Sequence, residues 1–161
     1  MLGLGSNLGD RLGFFRSAAR ALAQHGEIIS ASALYESAAV GPEQPDYLNA
    51  ALRFCTSLAP RALLEQQLAI EHANGRVRRE RWGPRTLDLD LLWIAGRVVD
   101  EPGLVVPHPE LVKRPFALLP LLDVVPDARD PRSGSPYAQL ALALDRTSVR
   151  ELENSRAGWL E

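Results

Sequence analysis

Residues 81–94 read RWGPRTLDLDLLWI, and the second half of this stretch alternates leucine with aspartate. Successive side chains of a strand point to opposite faces, so the alternating leucines predict one buried face. Asp88 and Asp90 then share the other face, with their Cα atoms ~6.6 Å apart. We therefore expect a strand over 86–94 that packs leucines into the core and presents two carboxylates on its opposite side.

Helix and strand signals mix along the rest of the chain, without an internal repeat or a low-complexity segment. The other predicted strands cover 1–4, 27–36, 47–57 and 97–99, and the predicted helices cover 10–25, 60–73, a short part of 104–120, and 136–144. Pro60 fits the first turn of its helix, and Ser135 fits the cap of the last helix. This mixture predicts an α+β sandwich with helices against a mainly antiparallel sheet.

Length and composition indicate an ordinary folded protein. The 161 residues fit one domain, 1–161, that is large enough to bury a core. The net charge of −2 gives no general attraction to nucleic acid or to an anionic membrane, so any basic site is local. Cys55 is the only cysteine, which excludes an intramolecular disulfide and a cysteine metal cluster.

The location is predicted from what the sequence lacks. No apolar run reaches the ~18 residues of a membrane span. The first ten residues, MLGLGSNLGD, have no basic segment followed by an apolar one, as a signal peptide would. We expect a cytoplasmic monomer without a membrane or nucleic-acid partner.

The Asp88–Asp90 pair predicts a metal site. Two carboxylates this close repel each other, and a bound cation would relieve that repulsion. Oxygen ligands without a neighbouring histidine or cysteine suit Mg²⁺, and two Mg²⁺ ions ~3.5–4 Å apart can be bridged by such groups. The alternative is a solvated strand face on which both aspartates form surface salt bridges.

An arginine-rich loop precedes the aspartates. Its members are Arg76, Arg78, Arg79, Arg81 and Arg85, with Trp82, Gly83 and Pro84 among them. Guanidinium groups bind phosphate with two hydrogen bonds and neutralise developing charge. Together with the carboxylates they predict a metal–polyphosphate site. A solvated basic loop, a nucleic-acid-binding loop and a metal-dependent nuclease stay open as alternatives, although a nuclease would need more carboxylates.

Three further features bear on ligand binding. Tyr47 and Asn49 share one strand face, where a ring that stacks and an amide that hydrogen-bonds would suit a flat heterocycle. A half-exposed strand face would show the same pattern. His108 lies between two prolines, in a rigid extended segment. GLGSN at 3–7 lacks the lysine of a P-loop and the third glycine of a dinucleotide site, so it indicates a turn.

These segments together resemble one family. The stretch at 81–94, with GLGSNLGDR at 3–11, QPDYLNAAL at 44–52 and VPHPELVKRPFALLPL at 106–121, is similar to the hydroxymethyl-dihydropterin pyrophosphokinases of folate biosynthesis. The resemblance implies a ferredoxin-like α/β/α fold. It also implies transfer of the terminal diphosphate of ATP to the hydroxymethyl oxygen of 6-hydroxymethyl-7,8-dihydropterin, with release of AMP.

The resemblance implies a role for each site residue. Asp88 and Asp90 bind two Mg²⁺ ions, while Arg76 and Arg85 flank the triphosphate and Trp82 lies in a loop that closes over the site. The residues implied to bind ATP are Glu71, Arg76, Arg85, His108 and Arg114. The residues implied to bind the pterin are Tyr47 and Phe116 by stacking, Asn49 by hydrogen bonds, and the main chain near Val40 and Gly41. No side chain in these motifs is an obvious strong base, so we predict catalysis by positioning and charge neutralisation.

Overall fold

The computed structural model describes residues 1–39, 41–76, 83–153, 155 and 158–160. The strands of this part are β1 (Leu2–Ser6), β2 (Glu27–Ala31), β3 (Tyr35–Ser37), β4 (Tyr47–Cys55), β5 (Asp88–Leu91), β6 (Val99–Glu101), β7 (Leu104–Val106) and β8 (Val149–Glu151). The α-helices are α1 (Arg11–Leu22), α2 (Pro60–Ala73), α3 (Pro115–Val124) and α4 (Tyr137–Leu140). No helix among the described residues is long and apolar enough to cross a membrane.

One antiparallel sheet organises the molecule, in the order β5-β1-β4-β3-β8. The nine-residue strand β4 pairs with β3 along its first half and with β2 along its second half. Helices α1 and α2 pack on one face of the sheet, and α3 packs on the other. The prediction of an α+β fold, with helices on both sides of a mainly antiparallel sheet, is confirmed.

A core lies on each side of the sheet. Leu87, Leu89 and Leu91 are 0%, 3% and 6% exposed, and they lie in the core that also holds Phe15 and Leu63 of the helical layer. Burying each such leucine contributes roughly 1.5–3 kcal/mol. The second core packs residues of α3 against the sheet and against α4; its members include Ala51, Trp93, Leu118, Leu121 and Tyr137. The predicted division of the 86–94 segment into a leucine face and an aspartate face is confirmed.

Local sequence explains where the helices begin. Asp10 Oδ1 accepts a hydrogen bond from Gly13 N at 2.9 Å and so caps α1. Helices α2 and α3 begin with Pro60 and Pro115, at positions where a missing N–H leaves no hydrogen bond unmade. The last helix is shorter than predicted, because α4 ends at Leu140 and continues only as a 3₁₀ turn. The predicted Ser135 cap is wrong, since Pro136 precedes the helix and no side chain caps it.

The single strand predicted over 27–36 is also wrong. The chain leaves the ladder after β2, where Ser32 Oγ accepts a hydrogen bond from Ala51 N at 2.8 Å. Next, Ala33 N donates to the Asp123 carboxylate at 3.2 Å, and pairing with β4 resumes only in β3. Polar side-chain contacts from distant segments therefore divide this strand.

Other boundaries differ by a few residues. The ladder of β5 covers Asp88–Leu91, which is the middle of the segment predicted over 86–94. The strand predicted at 97–99 lies at β6 and pairs with β7, which was not predicted, across a turn at Gly103 with φ 74°. The helix expected within 104–120 begins at Pro115 and runs to Val124.

Candidate active site

Two glycines of β1 separate the polar groups predicted to form the site. Gly5 pairs with Asn49 of β4 on one side and with Asp88 of β5 on the other. A Cβ atom on Gly5 would lie 3.6 Å from Asp88 Cβ and 3.7 Å from Tyr47 Cδ1. Gly3 pairs with Asp90 in the same way. The aspartates and the Tyr47–Asn49 pair therefore face a shared space whose floor is the backbone of β1.

A cleft of about 570 Å³ opens over this floor, a volume typical of ligand pockets. The predicted residues that line it are Tyr47, Asn49, Arg85, Asp88, Asp90, His108, Arg114 and Phe116. They come from β4, the segment before β5, β5 itself, the segment before α3 and the start of α3. The fold thus brings together residues that are up to 69 positions apart in the chain (116 − 47 = 69).

Asp88 is held by arginines. It accepts hydrogen bonds from Nη1 of Arg76 and from Nη1 of Arg85. The side chain of Arg76 is 10% exposed and that of Asp88 is 18% exposed. The Arg76–Asp88 pair is therefore largely shielded from water and differs from the solvated surface pairs of the alternative interpretation, whereas Arg85 is 31% exposed.

Asp90 lies beside Asp88 without such compensation. Among the residues that the structure describes, no arginine or lysine forms an ion pair with it. Burial, followed by the nearby charge of Asp88, raises the pKa of Asp90 to about 7, although Arg114 opposes the shift. A divalent cation between the two carboxylates would offset this unfavourable charge.

The donor set fits Mg²⁺. The two aspartates supply only hard oxygen ligands, and the described ranges contain no cluster of three or more histidine, cysteine, aspartate or glutamate ligands. Mg²⁺ commonly binds to one or two carboxylates and completes its shell with water and substrate phosphate oxygens. The site is therefore suited to a metal that arrives with a polyphosphate.

Glu71 and Arg76 lie behind Asp88 and do not line the cleft. Glu71 is 3% exposed and accepts hydrogen bonds from Leu89 N at 2.8 Å and from Nη1 of Arg76. Arg76 in turn joins Glu71 to Asp88. The structure places Glu71 in support of β5, and its contact with ATP stays a prediction.

The other side of the cleft has an aromatic and an amide wall. Asn49 is 4% exposed, and its Nδ2 donates to Ser37 Oγ at 2.9 Å. The Tyr47 hydroxyl donates to Gly83 O at 3.4 Å, and burial raises the pKa of this hydroxyl. Phe116 follows Pro115 at the start of α3, with Arg114 Cζ 5.9 Å from its ring centroid. Stacking of a heterocycle between Tyr47 and Phe116 stays a prediction.

His108 is fixed at the edge of the cleft. Its backbone N donates to Leu92 O at 2.8 Å, and its Nδ1 accepts from Glu110 N at 3.1 Å. Burial, followed by the positive charge of Arg114, lowers the pKa of the imidazole. A lowered pKa favours the neutral ring, and because Nδ1 accepts a hydrogen bond, the proton of the neutral ring lies on Nε2, which leaves one donor for a ligand.

Three further predicted residues do not line the described part of the cleft, and some lining residues were not predicted from the sequence. Val40 and Trp82 lie outside the described residues. Gly41 is exposed and has φ 109°, a conformation that favours glycine. Sequence reasoning missed Ser148, which lines the cleft just before the short strand β8. Strand β8 has only three residues, which is too few to show a detectable alternation of apolar and polar side chains.

Comparison with known proteins decides the family. The family model for 7,8-dihydro-6-hydroxymethylpterin-pyrophosphokinase (HPPK) matches residues 1–126. The chain belongs to this family. HPPK relatives include one from Synechocystis sp., 44% identical over 151 residues that cover 92% of this chain and 77% of the relative. One from Methylorubrum extorquens is 43% identical and covers 94% of this chain and 97% of the relative. Both are named 2-amino-4-hydroxy-6-hydroxymethyldihydropteridine pyrophosphokinase.

Solved structures agree on the fold. A crystal structure of HPPK-DHPS in complex with substrates matches with a TM-score of 0.69 at 13% identity, over 94% of this chain and 46% of that one. A single-substitution variant of HPPK-DHPS from Plasmodium falciparum with SDX-DHP also gives 0.69, at 14% identity, over 88% of this chain and 44% of that one. The chain thus spans less than half the length of these solved chains. The predictions of the HPPK family, its α/β/α fold and a pyrophosphokinase with ATP as co-substrate are confirmed.

Proposed function

We propose that this chain transfers diphosphate from ATP to the hydroxymethyl group of 6-hydroxymethyl-7,8-dihydropterin, with release of AMP, in folate biosynthesis. The family supports the reaction. The observation that supports its location is the arrangement around Gly5, which places Asp88 and Tyr47 on opposite sides of one backbone floor. An acidic, arginine-rich side suited to a metal–polyphosphate therefore faces a side suited to a flat heterocycle.

On the nucleotide side, Asp88 and Asp90 would hold two Mg²⁺ ions. Bound Mg²⁺ would neutralise phosphate oxygens, which is the chemistry that a diphosphate transfer needs. Arg85 lies in the cleft and would move from Asp88 to the phosphates, because guanidinium binds phosphate as it binds carboxylate. Arg76 would reach the phosphates only if its buried ion pairs with Glu71 and Asp88 rearrange.

The remaining nucleotide contacts would come from the segment before α3 and from the arginine loop. His108 would donate from Nε2 to a phosphate or ribose oxygen, and Arg114 would add a positive charge beside it. Glu71 would contribute indirectly, by holding the guanidinium group of Arg76 in place. Trp82 would belong to a loop that covers the bound substrates.

On the pterin side, Tyr47 and Phe116 would stack on the ring and Asn49 would bind its polar edge. Since Nδ2 of Asn49 is already hydrogen-bonded to Ser37, its Oδ1 is the atom that would accept from the ligand. Main chain near Val40 and Gly41 would complete the pocket.

Catalysis would rest on positioning and charge neutralisation, without an essential protein base. Among the described residues, the carboxylates that line the cleft are Asp88, which is paired with arginines, Asp90, whose proposed task is metal binding, and Glu110, which accepts a hydrogen bond from Lys113 Nζ at 3.2 Å. Holding two reactants in line can supply much of the barrier reduction that such a transfer requires. A variant of one proton-accepting side chain other than the proposed metal ligands Asp88 and Asp90 that binds both substrates but does not turn over would contradict this part.

The wider assignments are a single domain over 1–161 and a monomer without nucleic-acid or membrane partners. A cytoplasmic location fits the use of ATP, which the cell holds in that compartment.

The activity can be tested directly. Purified protein is incubated with ATP, Mg²⁺ and 6-hydroxymethyl-7,8-dihydropterin, and the nucleotide product is separated by chromatography. We expect AMP, in amounts equal to the pterin diphosphate formed, and no AMP when the pterin is omitted. Formation of ADP with the pterin present would refute the proposal, and ATP-independent cleavage of a nucleic acid would favour the nuclease alternative.

A further inference from the structure

The GLGSN segment at 3–7 ends in a buried asparagine that the proposed function does not use. Asn7 follows β1 and is 2% exposed. Each hydrogen-bonding group of its side chain has a partner in a distant part of the chain. A buried amide with such partners constrains the segments that it joins.

One set of partners belongs to Arg85. Asn7 N donates to Arg85 O at 3.0 Å, and Arg85 N donates to Asn7 Oδ1 at 2.7 Å. The backbone of Arg85 is therefore held at two points, three residues before Asp88, which its guanidinium contacts. The position from which this arginine reaches into the cleft depends on Asn7.

The other set of partners lies just before Tyr47. Nδ2 of Asn7 donates to Gln44 Oε1 at 2.9 Å and to Pro45 O at 3.0 Å. Because Arg85 N–H can only donate and Pro45 O can only accept, these partners fix which amide atom is oxygen. Among the described residues, the Tyr47 hydroxyl also bridges the two segments through Gly83 O, but at a longer 3.4 Å.

We propose that Asn7 is a positioning residue that sets the distance between the pterin side of the cleft and Arg85. The inference rests on the proposed function, from which it takes the roles of Tyr47 and Arg85. Asn7 acts through these residues and does not line the cleft itself. In a site that works by positioning, a displacement of about 1 Å can lower the rate about 100-fold.

Variants of Asn7 separate this role from general stability. Asn7→Asp keeps an acceptor for Arg85 N–H at pH 8, but it loses both donors and sets oxygen against Pro45 O. Asn7→Ala removes both sets of contacts. Ser32→Ala is the matched control, because Ser32 is 1% exposed and its Oγ accepts from Ala51 N at 2.8 Å without lining the cleft.

The measurements are steady-state kinetics for both substrates and thermal unfolding. We expect kcat of Asn7→Asp to fall about 10- to 100-fold, with both KM values within about threefold of the wild type. We expect Ser32→Ala to keep the wild-type kcat, even if its thermal unfolding midpoint falls by as much as that of Asn7→Asp. If Asn7→Asp is too unstable to purify, Gln44→Ala serves instead and should lower kcat by a smaller factor.

A wild-type kcat in Asn7→Asp, or in Gln44→Ala where that variant serves, would overturn the inference. So would an equal loss of kcat in Ser32→Ala at equal stability, because that would show a general structural effect. If the wild-type protein itself forms no AMP, the proposed function fails first and this inference fails with it.

Discussion

Glu71 accepts a hydrogen bond from the backbone N–H of Leu89 at 2.8 Å, on the edge of β5 that faces away from β1. Leu89 lies between Asp88 and Asp90. A carboxylate on α2 therefore fixes the strand that carries both proposed metal ligands, and the same carboxylate holds Arg76 against Asp88. Strand, helix and arginine form one buried polar network.

Removing the Glu71 carboxylate should destabilise the protein. We expect Glu71→Ala to lower the free energy of unfolding by about 3 kcal/mol, because it leaves the buried Leu89 N–H without its acceptor and removes one of the two carboxylates that Arg76 pairs with. Glu71→Gln keeps an acceptor for Leu89 N–H, so its free energy of unfolding should fall by less than that of Glu71→Ala. Urea denaturation measures both changes, with Glu65→Ala on the exposed side of α2 as the control. Equal stability of Glu71→Ala and the control would contradict the network.

Asp90→Asn should remove turnover without unfolding the protein. The amide has nearly the same shape but lacks the charge that we assign to Mg²⁺ binding, so kcat should fall at least about 100-fold. Asp100→Asn on the exposed part of β6 is the control and should leave kcat unchanged. AMP formation and circular dichroism provide the measurements. Near wild-type turnover in Asp90→Asn would mean that the aspartates are only structural.

Tyr47 should contribute through its ring more than through its hydroxyl. Its hydrogen bond to Gly83 O is long, at 3.4 Å, so Tyr47→Phe should change KM for the pterin little. Tyr47→Ala removes the stacking surface and should raise that KM about 10-fold or more, with KM for ATP unchanged. The comparison is informative because both variants lose the hydroxyl. A Tyr47→Phe defect as large as that of Tyr47→Ala would refute the stacking role.

Glu36 gives a pH dependence of stability. It forms ion pairs with Arg150 at 2.8 Å and Arg11 at 3.1 Å, and the hydrogen bond from Arg150 chiefly lowers its pKa below 4.5. A lowered pKa adds stability above pH 4.5 that is lost as the pH falls through the folded-state pKa. Glu36→Gln should therefore cost about 0.5–1 kcal/mol at pH 7 and less at pH 3, because Glu36 is protonated progressively as the pH falls through its folded-state pKa. Urea denaturation at the two pH values tests this, and a difference of the same size at pH 3 and pH 7 would contradict it.

The face assignment of β5 could be predicted from the sequence because it depends only on alternation within one segment. The leucines are buried and the aspartates reach the cleft, as that alternation requires. Helix starts at Pro60 and Asp10 also depend on neighbouring residues alone.

What could not be predicted depends on contacts between distant segments. The division of 27–36 comes from Ser32 and Asp123, which are 91 positions apart (123 − 32 = 91). The placement of Glu71 behind β5 comes from the packing of α2, and no helical periodicity indicates which strand atom its carboxylate meets. The link between Asn7, Gln44 and Arg85 is of the same kind.

The floor of the cleft has no side chains at Gly3 and Gly5, and this has a consequence for inhibitor design. With the substrates placed as we propose, a compound that joins a pterin-like part to a nucleotide-like part would cross these two residues and contact their main-chain atoms. Most escape mutations act by changing a side chain that touches the drug, and this strip offers none. A Cβ at Gly3 would approach Leu92 Cδ1 to 3.0 Å, and one at Gly5 would enter the space between Asp88 and Tyr47. Resistance arising at this strip would therefore obstruct the natural substrates as well.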